Sequence, residues 1–201
     1  MSRVAAFAFA VAVLALGSGR AASALDAPGA ATSVEGTVVV KVAPSSQGAV
    51  VTLEAPGKKG PPPAAITVDQ QRLQFLPHLS VVPLGSTVRF LNSDKEPHNV
   101  YSPEGRYNLG VWGPGDAREH TFAQAGAYTQ LCNLHPDMLA FVVVVDTPYF
   151  AVTDAKGAFV VRGVPPGKYK LSVWHERSDG LEREVEVVAG KPRKLELVLA
   201  K

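Results

Sequence analysis

The chain has 201 residues, with 20 Lys and Arg against 18 Asp and Glu. Two of the basic residues, Arg3 and Arg20, lie in a removable-looking leader, and without them 18 basic residues face 18 acidic ones. That balance excludes nucleic acid or an anionic membrane surface as the main partner, since both require clustered excess Lys and Arg. A single cysteine, Cys132, excludes an intramolecular disulfide framework, and 16 Pro with 18 Gly argue against long helices.

In chain order, Arg3, an apolar run over 4–16 and Ala22-Ser23-Ala24 have the form of a secretory signal peptide over 1–24. The run is too short to span a bilayer, so the expected location is periplasmic or secreted, with no membrane insertion after cleavage. Residues 25–33 are small and without hydrophobic period, and read as a flexible linker. Short β-branched and apolar runs then follow between turn residues. They predict strands over 37–42, 49–53, 73–75, 79–82, 87–92, 119–122, 127–132 and 141–146. A second series covers 150–153, 158–162, 169–175, 182–188 and 193–199, with turns at Pro165-Pro166-Gly167 and Ala189-Gly190. Many short strands at this spacing predict an all-β chain of sandwiches or barrels. Tyr169, Leu171 and Val173 alternate with polar residues, which puts His175 on the apolar face and Trp174 on the other. An outward Trp implies that something covers it.

Chemistry concentrates in Cys132-Asn133-Leu134-His135-Pro136-Asp137-Met138, where a thiol, an imidazole and a thioether stand within seven residues at a strand end. Soft sulfur with imidazole suits copper, and one Cys, two His and a weak axial Met form the electron-transfer copper arrangement. His98, in Glu96-Pro97-His98-Asn99-Val100, is the leading candidate for the second imidazole. Metal ligation also explains how a lone Cys survives export, because a free thiol in an oxidising compartment invites oxidation.

The stretch from about 66 to 146 resembles the cupredoxins, with loop spacing closest to amicyanin among blue copper proteins. The residues carrying the likeness are Phe75-Leu76-Pro77, Gly85-Ser86-Thr87-Val88-Arg89-Phe90-Leu91-Asn92, Pro97-His98-Asn99-Val100, Thr121-Phe122-Ala123-Gln124-Ala125-Gly126-Ala127-Tyr128 and the Cys132–Met138 loop. The resemblance implies a Greek-key β-sandwich holding one copper ion, with His98, Cys132 and His135 as equatorial ligands and Met138 as axial ligand. It implies that Asn99 ties the first His loop to the Cys loop by hydrogen bonding, with Asn133 beside it. Asp137 departs from the family pattern, which has an apolar residue there.

Residues 148–200 resemble the transthyretin-like, carboxypeptidase regulatory-like β-sandwich modules. The features are Thr153-Asp154-Ala155-Lys156-Gly157-Ala158-Phe159, Val164-Pro165-Pro166-Gly167-Lys168-Tyr169-Lys170-Leu171 and Leu195-Glu196-Leu197-Val198-Leu199. That family opens with a strand pair like the ones at 34–38 and 48–53, which here precede the copper region. The expected organisation is a split sandwich of 34–57 with 147–200, interrupted by a cupredoxin over 62–146. The competing parse gives the N-terminal strands to an enlarged cupredoxin.

His78 and His175 are the remaining candidates for an additional metal site, against surface or structural roles for both and for His120. The expected function is a non-enzymatic, exported blue copper carrier of single electrons, exchanging them with a cytochrome, dehydrogenase or oxidase. Copper storage or delivery without electron transfer is the alternative, and an adhesive or carbohydrate-binding sandwich with a vestigial loop the third. A copper oxidase would need additional His clusters where five His exist, and a binuclear centre two Cys where one exists.

Overall fold

The computed structural model describes residues 31–54 and 57–200. In chain order its strands are β1 (Thr32–Val40), β2 (Val50–Glu54), β3 (Ala65–Gln70), β4 (Phe75–Leu76), β5 (Leu79–Pro83), β6 (Thr87–Asn92), β7 (His98–Ser102) and β8 (Tyr107–Trp112). They continue with β9 (Ala117–Thr121), β10 (Gly126–Leu131), β11 (Leu139–Val145), β12 (Phe150–Val152), β13 (Ala158–Val164), β14 (Gly167–His175), β15 (Ser178–Val187) and β16 (Arg193–Leu199). Among the described residues there is no helix, and the chain is all-β. The signal peptide expected over 1–24 lies outside the described residues, as does most of the expected linker. Thr32 and Ser33, the linker's last residues, instead begin β1, because Thr32 pairs with Val164.

Four sheets form two sandwiches. One has the sheets β13-β1-β16 and β12-β2-β14-β15, and the other β5-β11-β10-β7-β8 and β4-β3-β6-β9. In the first, β1 is the middle strand, antiparallel to β13 and parallel to β16. β2 likewise lies between β12 and β14. Both N-terminal strands are therefore interior to sheets whose other members begin at residue 150 or later, and the intervening strands β3–β11 make up the second sandwich. Neither N-terminal strand pairs with a strand of the second sandwich. Gly36 lets β16 approach β1, since a Cβ there would fall on the Leu195 carbonyl oxygen.

Three apolar clusters separate the four sheets. Val34, Val38, Leu53, Phe159, Leu171 and Leu197 fill the first sandwich. Val68, Phe75, Phe90, Phe122, Cys132 and Met138 are among those filling the second. The third lies between sandwiches, where Val50, Val143 and Val145 are buried with Leu79, Val81, Phe150 and Trp174 packed against them. The run Val142–Val145 is thus explained by burial on both faces of β11, with Val142 and Val144 in the core of the second sandwich and Val143 and Val145 at the junction. Trp174 is covered, as its outward phase on β14 required.

Three strands escape the sequence patterns. In β3, Gln70 is fully buried beside Val68, so a polar residue takes an inward position. In β7, His98, Asn99 and Ser102 are all buried, which erases the polar–apolar alternation. In β8, Gly110 adopts φ 76° and the pairing with β7 is irregular. Leu73, expected in a strand over 73–75, instead lies with Arg72 in a two-residue turn between β3 and β4. Both residues have positive φ, 56° and 58°, as the hairpin's right-handed twist demands.

Candidate metal centre

Three strand ends converge at one edge of the second sandwich. β6 delivers the chain into a loop that returns at His98, the first residue of β7. Asn92, buried at the end of β6, shapes that loop: its Nδ2 donates to the carbonyls of Glu96 (2.9 Å) and Trp112 (3.3 Å), and its Oδ1 accepts from Asp94 N at 2.9 Å. β10 ends at Leu131, so Cys132 opens the second loop, which closes at Leu139 directly opposite Leu131. These two loops bring His98, Cys132 and His135 together, with candidate ligand atoms all within 4.8 Å of one another.

His98 is fully buried, Cys132 is 3% exposed and His135 is half-buried. The Nδ1 atoms of His98 and His135 face each other at 3.0 Å, and His135 Nδ1 stands 3.8 Å from Cys132 Sγ. Such separations suit donors sharing one ion through bonds of about 2.0 Å to imidazole nitrogen and about 2.3 Å to thiolate sulfur. Met138 is fully buried in the same cluster as Cys132, and its backbone N–H donates to the His135 carbonyl at 3.0 Å, folding the loop back on itself.

The outer hydrogen bonds define the inner ones. His98 Nε2 donates to Asp94 Oδ2 at 3.0 Å, which leaves Nδ1 with its lone pair toward Cys132 and His135. Asp94 also accepts from the backbone N–H groups of Arg72 (2.6 Å) and Leu73 (2.8 Å), the two residues of the tight turn. Burial works against its charge, but those N–H groups and the His98 ring outweigh it and hold the carboxyl below the usual Asp value. Asn99 Oδ1 accepts from the Asn133 backbone N–H at 2.8 Å and lies 3.4 Å from Cys132 Sγ. Asn133 contributes that main-chain group while its own side chain is exposed.

The other histidines lie apart from this cluster. His78 Nε2 meets Glu176 Oε2 at 2.6 Å and its Nδ1 meets the Leu139 carbonyl at 3.1 Å. His175 is buried, and its Nδ1 accepts from Arg177 N at 3.2 Å. Neither belongs to a metal-competent cluster among the described residues. His120 stacks on Tyr107, ring centroids 3.8 Å apart, and burial lowers its pKa. Asp94 is the residue that sequence reasoning missed; its only local signal is the turn composition Asn92-Ser93-Asp94, four residues before His98.

A thiol and two imidazoles, with a thioether buried nearby, fit copper among biological metals. Residues 63–146 match the family model of copper binding proteins, plastocyanin/azurin family, and residues 139–200 that of the carboxypeptidase regulatory-like domain. The two matches overlap on β11, which by pairing belongs to the copper sandwich. Among solved structures, a purple cupredoxin from Nitrosopumilus maritimus is 26% identical, over 40% of this chain and 99% of that one, with a TM-score of 0.37. A reduced amicyanin variant is 31% identical over 46% of this chain and 86% of that one, TM-score 0.38. Another is 27% identical over 47% and 98%, TM-score 0.39. The chain therefore joins a cupredoxin of the plastocyanin/azurin copper-binding family, with a His98, Cys132 and His135 group positioned for one copper ion, to a carboxypeptidase regulatory-like sandwich.

Proposed function

We propose that the chain is an exported one-electron carrier, with His98, Cys132 and His135 as equatorial copper ligands, Met138 as the axial ligand, and no catalytic activity of its own. The observation that carries this reading is the convergence of the three donors, two buried and one half-buried, with His98 Nε2 already committed to Asp94. Bound copper supplies the one-electron Cu(I)/Cu(II) couple. The chain's task is to keep its donors in one arrangement in both states, so that the electron moves with little rearrangement. Paired strands and the Asn99 link between the two loops supply that rigidity.

His135 is the donor nearest solvent, and Leu134 beside it and Leu139 at the end of its loop are exposed apolar residues, 46% and 37% accessible. They form a docking rim for a redox protein such as a cytochrome, dehydrogenase or oxidase, with exposed Asp137 adding one negative charge. The leader pattern supports export, and metal ligation as a thiolate accounts for how the lone Cys132 survives it. Domain limits of 34–57 with 147–200 around 62–146 are consistent with the strand pairing.

The test is copper(II) added to the mature protein. An intense visible thiolate-to-copper charge-transfer band, lost in Cys132→Ser, together with rapid electron exchange with a cytochrome, supports the carrier. Copper binding without colour or electron exchange would favour storage or delivery.

A further inference from the structure

The regulatory-like sandwich reaches the far end of the ligand loop. The near end is held by Asn99, through Asn133 N and Cys132 Sγ. At the far end, Leu139 follows Met138 directly, and its carbonyl lies 3.1 Å from His78 Nδ1. The other nitrogen of the same ring lies 2.6 Å from Glu176 Oε2, in the turn between β14 and β15 of the other sandwich. A single ring thus spans the Leu139 carbonyl on one side and the Glu176 carboxylate on the other. His78 is braced in turn: its carbonyl accepts from Phe141 N at 2.8 Å and its ring stands edge-on to Phe141 at 5.5 Å.

We infer that Glu176 is a positioning residue for the metal loop: through His78 it sets Leu139, and with it the seat of Met138, so that one sandwich tunes a metal held by the other. This rests on the ligand set proposed above. With Met138 holding copper axially, its bond would be the weakest of the four, and so the most sensitive to a displacement of the main chain carrying it. Hydrogen-bonded partners outside the ligand set commonly tune a metal in this way. The His78 and Glu176 side chains are 54% and 28% exposed, and a polar contact so placed contributes little to stability. Its consequence falls on the preference between Cu(I) and Cu(II) rather than on the melting temperature.

The experiment uses the full-length mature chain with Glu176→Ala, His78→Phe, the conservative Glu176→Gln, and Glu184→Gln, on β15 rather than in the turn, as a control. Expected for Glu176→Ala and His78→Phe is a change of about threefold in the Cu(I) to Cu(II) affinity ratio, ~28 mV for a one-electron couple, with an altered charge-transfer spectrum. Glu176→Gln should move less and Glu184→Gln not at all. In the metal-free chain, the Met138 and Phe141 amides of the two disruptive variants should exchange with solvent several-fold faster. Unchanged potential, spectrum and exchange in both disruptive variants would overturn the inference. Absence of the charge-transfer band in the unmutated chain would instead overturn the ligand set, leaving amide exchange to decide the His78–Glu176 link.

Discussion

Trp174 stands edge-on to Phe141, with ring centroids 5.2 Å apart and planes at 61°, across the boundary between the two sandwiches. Trp174 pairs with Val50 on β2, while Phe141 pairs with Leu79 on β5, so the contact joins the faces of two sheets. Val143 and Val145 complete it from β11. Trp174→Ala should cost about 2 kcal/mol, below the range for a fully buried Trp because this one is half-buried. Calorimetry should show one unfolding transition for the unmutated chain and two for this variant.

Asp94→Ala removes the acceptor that fixes the His98 ring and releases the two N–H groups of the Arg72-Leu73 turn. Copper affinity should fall by about 10- to 100-fold, measured by competition with a chelator. An unchanged affinity would mean that burial alone orients His98.

Met138→Gln should retain copper and lower the reduction potential, because a harder oxygen donor stabilises Cu(II) relative to Cu(I) while the equatorial donors stay in place. Voltammetry reads the change directly. Loss of all copper binding in this variant would contradict an axial role.

Gly36→Ala sets a methyl group against the Leu195 carbonyl in the middle of the β13-β1-β16 sheet. The regulatory-like sandwich should lose about 1–3 kcal/mol while the copper chromophore keeps its spectrum. Thermal unfolding followed by far-ultraviolet dichroism and by visible colour separates the two effects.

Glu104 accepts from Thr129 Oγ1 (2.9 Å), Thr129 N (3.1 Å) and Ser102 Oγ (3.3 Å), tying the β7–β8 turn to β10. Burial opposes its charge, yet the hydrogen bonds from its own backbone, Thr129 and Ser102 hold its pKa below the ordinary Glu value. A depressed carboxylate contributes stability above its unfolded pKa, and that contribution disappears as pH falls through the folded value. Glu104→Gln should therefore be less stable than the unmutated chain at neutral pH, and the gap should close on acidification below about pH 4.5. Denaturant titrations across that range check the sign.

The sequence by itself determined that the chain is all-β, that its strands bury alternate residues, and that Cys132, His135 and Met138 share one loop. Those features depend on spacing along a few residues, which period-two burial and strand-end loops translate directly into space. The fourth candidate ligand, His98, was legible through its own short motif and the family likeness. That the strands over 34–57 belong with those over 147–200 was an expectation drawn from the family likeness; only the tertiary structure decided that β1 lies between β13 and β16, parallel to β16, and β2 between β12 and β14, because hydrogen-bonded pairing leaves no local mark. The same holds for Asp94, whose role depends on a turn more than 20 residues earlier, and for Glu176, which meets His78 across 98 residues. An Asp in a loop and a Glu in a hairpin turn look like ordinary solvated residues until the packing of sheets brings a ring nitrogen within hydrogen-bonding distance.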